Sequence, residues 1–146
     1  MVTKSFLMAL AMIESGNRDI PGDNGLAIGP LQIQEIYMAE VNRITEYPVF
    51  ITCEHDRNGN CLESPCHDDR HSLKASLEAT KIYLIYWSAR LRRRHGWEFS
   101  YNDLCALHRY GSTKYRPNSH KKTLIDRIRS RKLKALMMQP KKVGNF

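Results

Sequence analysis

The chain has 146 residues, 42% of them apolar, enough for one hydrophobic core but not two, so a second domain is not expected and cross-links are optional for stability. No run of 18 or more apolar residues occurs, which excludes a helical membrane span, and no stretch reads as an intact export leader. The formal charge of +8 lies wholly beyond residue 120, where nine Lys and Arg face one acid, so anionic polymers are attracted there: nucleic acid, anionic lipid or the acidic polymers of a bacterial wall.

In chain order, Val2, Phe6, Ala9, Leu10 and Ile13 recur at helical spacing, with Thr3 placed to cap the start and Gly16 to end the helix. Glu14 then falls in the last turn, at the negative end of the helix dipole, an environment that favours a neutral carboxyl and suits a proton donor. Residues 20–34 are rich in turn formers and read as a loop leading into a short hairpin or bend, and residues 36–44 as a short helix. The polar stretch 45–71 carries three of the four cysteines and no periodicity, and reads as an irregular insertion.

Leu73, Leu77, Thr80, Leu84, Trp87 and Leu91 mark a long helix over 73–91 with the spacing of a central buried one, ending in the basic cluster Arg90, Arg92, Arg93, Arg94 and His95. Ser100 and Asp103 have the spacing of a capping box opening a helix through His108, which Gly111 breaks. A last amphipathic helix is expected to bury Leu124, Ile125, Ile128, Leu133 and Leu136 and to show its basic residues to solvent, within a basic segment covering about 119–146. The whole is mainly α with a minor β element, a single domain over 1–146.

Glycoside hydrolysis needs a carboxylic acid to protonate the leaving oxygen, and usually a second carboxylate to direct water or support the oxocarbenium-like transition state. Glu14 and Asp23 are the candidate pair, with Asp23 also suited to an Asx turn ahead of Asn24 and Gly25. The order Ile13-Glu14-Ser15-Gly16-Asn17, Gly22-Asp23-Asn24-Gly25, Ala27-Ile28-Gly29-Pro30-Leu31-Gln32-Ile33 resembles the lysozyme-like superfamily, in particular lytic transglycosylases and the goose-type and invertebrate-type lysozymes. That resemblance implies a lysozyme-like fold, Glu14 as the catalytic acid, Asp23 as holder of the attacking water, and a glycan cleft lined by Ser15, Gly29 and Gln32. Gln34 stands where goose-type enzymes carry a further Asp.

Tyr101 to Gly111 resembles the segment that reads Ala-Arg-Ile-His-Asn-Gly-Gly in related enzymes, so His108, Tyr110 and Gly111 join the expected substrate contacts. Arg109 and Tyr110 replace the Asn-Gly of that pattern and Ser112 its second Gly, and Tyr110 equally suits a structural role, as His108 suits a packing one. The resemblance covers about residues 6–44 and 73–128, and implies a monomer that cleaves peptidoglycan between N-acetylmuramic acid and N-acetylglucosamine, without a cofactor or metal. By that reading the protein is secreted, periplasmic or phage-delivered, with its basic helix against anionic wall polymers. The alternative is a non-catalytic module of the same fold that grips glycan or nucleic acid.

Cys53, Cys61 and Cys66, beside His55, His67 and His71, lack the paired Cys-x-x-Cys spacing of a zinc ribbon, and Cys105 is distant. Disulfides, a Cys3His zinc site and free thiols all stay open. Asp56 to Asn60 has a calcium-loop composition, but its glycine is out of register, and a turn is expected.

Overall fold

A computed structural model describes residues 1–47 and 49–138. Helix α1 (Lys4–Ser15) opens on Thr3, whose hydroxyl accepts from the Phe6 N–H, and closes on Gly16 in the left-handed conformation, as its spacing predicts. Phe6, Leu7, Leu10 and Ala11 are its buried residues of largest consequence, and they lie at the centre of the core.

The turn-rich stretch that follows forms a three-stranded antiparallel sheet of very short strands: β1 (Pro21–Gly22), β2 (Ala27–Ile28) and β3 (Ile33–Gln34). Ala27 pairs with Gln34 and Ile28 with Ile33, while a 3-10 turn at Asp23–Gly25 joins β1 to β2. Alternation along β3 sends Ile33 into the core and leaves Gln34 exposed. Helix α2 (Glu35–Thr45) follows at once and buries Tyr37, Met38 and Val41.

Segment 49–71 is irregular, as its composition predicts, but it is tightly held. The buried Arg70 guanidinium donates to Asp68, to the Cys53 carbonyl and to the Ile33 carbonyl of β3, so one cation ties the insertion to the sheet. Its burial is tolerated because its charge and hydrogen bonds are satisfied there. Asp56 accepts from the Asn58 and Asn60 N–H groups and forms the expected turn.

Helix α3 (Leu73–His95) runs one turn longer than its apolar pattern indicates, and its fully buried positions include Ser76, Ala79, Thr80, Tyr83 and Leu84. Leu73, Leu77 and Trp87 are only partly buried against the core. Helix α4 (Tyr101–Lys114) starts on the predicted Ser100–Asp103 capping box and contains non-helical backbone at Gly111.

Helix α5 (Leu124–Met137) departs from expectation. Leu124, Ile125 and Ile128 are exposed, and the face turned inward is Asp126, Arg129, Ser130 and Leu133, with Leu136 and Met137 partly buried. Polar pairing outweighs apolar burial here. Asp126 completes a capping box with Thr123 and receives the Tyr110 hydroxyl and Arg109, while Arg129 reaches Glu14. Lys141 and Lys142 of the basic segment lie outside the described residues. Among the described residues no helix is long and apolar enough to cross a membrane.

Candidate active site around Glu14

The left-handed Gly16 turns the chain sharply after Glu14, and Ser15 fastens that corner. Its hydroxyl donates to the Pro30 carbonyl at 2.7 Å and accepts from the Arg18 N–H at 3.0 Å. Ser15 is therefore buried, and where the sequence suggests a substrate contact, the structure gives it the joint between the end of α1 and the β2–β3 turn.

Gly29 is buried in that turn at φ +83°, with the Arg70 carbonyl 1.8 Å from where a Cβ would stand. Only glycine lets the insertion approach so closely. Its contact is thus with the insertion, not with solvent. Gln32, at φ +51°, donates through Nε2 to the Ile20 and Gly29 carbonyls, and its Oε1 lies against Gly22. The partly exposed amide clamps β1 to the turn. Asp23, also at positive φ, is exposed, and its Oδ2 accepts from Gln34 Nε2 at 3.4 Å; the Asx turn with Asn24 and Gly25 is not what its side chain makes.

His108 is buried between Leu31 and Tyr37. Nε2 lies 2.9 Å from the Leu31 carbonyl, which can only accept, so Nε2 carries the proton and Nδ1 accepts from the Tyr37 hydroxyl, also at 2.9 Å. Burial holds its pKa below the ordinary value. With both nitrogens used and the ring enclosed, His108 takes the packing role that the sequence also suits. Tyr37 stacks on Tyr83 at 3.9 Å, and the Tyr83 hydroxyl accepts from the Ser112 N–H just past Gly111. The kink at Gly111 is what brings that N–H to Tyr83.

Tyr110 is half-buried and spends its hydroxyl on Asp126 at 2.6 Å, with Arg109 and Lys122 both 5.5 Å from its ring centre. It anchors α5, the structural role that its sequence position suits as well as a substrate contact. Burial and the Asp126 carboxylate both raise its pKa.

Glu14 points neither into the core nor into open water: its side chain is 11% exposed and its carboxylate is bound by the Arg129 guanidinium of α5. The Arg129 guanidinium also faces the Cys105 sulfur at 3.8 Å. Burial works against the charge on Arg129, but Glu14 outweighs it and raises the Arg129 pKa. Burial also pushes the Cys105 thiol up to about 11, so this sulfur is a neutral wall of the site. The charge of Glu14 also helps raise the Tyr37 pKa, after burial and Tyr83, and works against the burial that lowers the His108 pKa.

Sequence reasoning overlooks Arg129 because it sits among nine basic residues of one segment, and only the inward period Asp126, Arg129, Leu133 distinguishes it. Beside it lies a cavity of only about 10 Å³ lined by Cys105, Arg109, Asp126 and Arg129 among others, whereas a larger one of about 280 Å³ opens elsewhere, between Val2, Ile85, Arg92 and Leu104. Comparison with protein-family models, with curated proteins and with solved structures found no match to this chain.

Proposed function

We propose that the protein is a peptidoglycan-degrading glycosidase with Glu14 as the general acid. The observation that carries this reading is the placement of Glu14: a carboxyl largely shielded from water, at a helix end pinned by the Ser15–Pro30 hydrogen bond. A shielded carboxyl beside a defined turn can protonate a bridging oxygen between N-acetylmuramic acid and N-acetylglucosamine. Asp23, exposed on the adjacent loop, directs water to the opposite side of the sugar or supports its positive charge. Where Asp23 is not used, the substrate's own 6-hydroxyl attacks and a 1,6-anhydro end results.

For Glu14 to deliver a proton, the Arg129 guanidinium must give up the oxygen it holds and the freed carboxylate must first take up a proton from solvent water. An incoming glycan that displaces α5 side chains provides the occasion, and Arg129 then stands ready to receive the carboxylate once the proton has left. Digestion of purified peptidoglycan followed by mass spectrometry tests the proposal: wild type releases muropeptides with reducing or anhydro ends, and Glu14→Gln releases neither. Equal release by the two proteins contradicts it.

The Glu14–Arg129 pair also favours a second reading, a non-catalytic module that grips an anionic or aminosugar polymer through α5. The same digestion separates the two, because a binding module sediments with peptidoglycan but releases no fragment. Salt-sensitive binding to duplex DNA, with no release from peptidoglycan, assigns it to nucleic acid instead.

A further inference from the structure

The insertion carries a cluster of donors that the glycosidase reading does not use. The ring nitrogens Nε2 of His55 and His71 lie 3.0 Å apart. Nδ1 of His55 faces the Cys53 carbonyl at 3.0 Å, and Nδ1 of His71 faces the Asp19 carboxylate at 2.8 Å. Both partners only accept, so each Nδ1 carries a proton and each neutral ring turns a bare Nε2 lone pair toward the other. Two lone pairs at that distance repel unless a positive centre lies between them. That centre is either a shared proton or a metal ion.

The sulfurs decide between them. Cys66 has its sulfur within 4.8 Å of both imidazole nitrogens, and the sulfurs of Cys53, Cys61 and Cys66 lie within 4.8 Å of one another. In tetrahedral zinc sites, bond lengths of about 2.0–2.3 Å put neighbouring donors roughly 3.3–3.8 Å apart, so Cys66 and the two imidazoles need shift only slightly, while Cys61, grouped with Cys66 and not with the histidines, must swing toward them to complete the shell. Three thiols cannot all be consumed by one disulfide. Cys61 accepts from the Glu63 N–H at 3.4 Å, so its sulfur acts as an acceptor, whereas Cys53 turns its own S–H to Glu63 Oε2 at 3.2 Å. The site is also pre-positioned: the His55 side chain is 1% exposed, Asp68 lies 3.8 Å from its Nδ1, and the carboxylate of Asp19 orients His71 as carboxylates orient zinc-bound histidines.

We propose that the insertion holds one divalent ion of the zinc class on Cys66, His55 and His71, with a second sulfur, that of Cys61, as the fourth ligand. Thiolate with imidazole is the donor set that selects zinc over calcium or magnesium. Each thiol that binds releases its proton to solvent. The ion braces the site wall: His71 reaches Asp19 after α1, the Asp56 carbonyl packs on Gly25, and Pro21 packs on Gly59. It thereby links the insertion to the loop that carries Asp23. This holds whether or not the protein cleaves glycan.

The test uses the full chain, expressed with added zinc and purified under reducing conditions without chelator. Elemental analysis is expected to find one zinc per chain, and cobalt(II) in its place to give the intense visible bands of a tetrahedral site with sulfur ligation. Cys66→Ser should lose both. Should that variant fail to fold, Asp19→Asn keeps every donor and is expected to weaken zinc binding about 10- to 100-fold, as removing an orienting carboxylate does elsewhere. Zinc well below stoichiometric, a chain mass lower by two hydrogens from a disulfide among the three cysteines, or unchanged zinc affinity in Cys66→Ser or Asp19→Asn overturns the proposal.

Discussion

Arg129 is the closest partner of Glu14, and that pairing sets what substitutions at either residue do. Both side chains are mostly shielded, so removing one strands the other's charge: Glu14→Ala and Arg129→Ala are each expected to cost about 2–4 kcal/mol of unfolding free energy. The double variant should cost clearly less than the sum, and urea unfolding of the four proteins measures the difference. Additive losses would show that the two charges do not support each other. At Gly29, where a carbonyl occupies the place of a Cβ, Gly29→Ala is expected to destabilise by several kcal/mol, read as a large drop in Tm. The position of Glu14 is legible in the sequence, since Thr3, the apolar period and Gly16 define its helix locally. Its partner is not, because 115 residues separate Glu14 from Arg129 and no local pattern encodes that contact.

Among the elements, α5 shows why local periodicity falls short. Leu124, Ile125 and Ile128 suggest an inward face, yet Asp126 is buried and they are not. A buried carboxylate with Tyr110, Thr123 and Arg109 as partners fixes the helix rotation, and a sequence shows neither the partners nor their distance. Burial acts to raise the Asp126 pKa, but the hydroxyl of Tyr110, the Thr123 cap and Arg109 outweigh it and hold it below the usual carboxylate range. The folded state therefore takes up that proton less readily than the unfolded chain. The resulting stability is fully present above about pH 4 and is lost as pH falls through the lower, folded value. Asp126→Asn is expected to lower Tm at neutral pH and to flatten the fall of Tm below about pH 4; an unchanged acid slope would mean Asp126 titrates alike in both states. The capping boxes behave differently, because Ser100–Asp103 is purely local and is readable from spacing alone.

For the whole molecule, composition and turn chemistry foretell a mainly helical chain with a small antiparallel sheet and an irregular insertion, and that is its architecture. How the insertion packs is not foretold: the buried Arg70, its partner Asp68 and the contact on Gly29 are long-range, and their residues look like ordinary surface polars in the sequence. The consequence for function is that three separate segments, α1, the sheet turn and α5, converge on the surroundings of Glu14. The central claim is that this carboxyl does chemistry and does not merely pair with Arg129. Its most direct test is the initial rate of soluble muropeptide release from purified peptidoglycan by wild type and by Glu14→Gln, compared at a temperature where both are shown to be folded. The account predicts a loss of at least about 100-fold in the variant; rates within a factor of about two would contradict it.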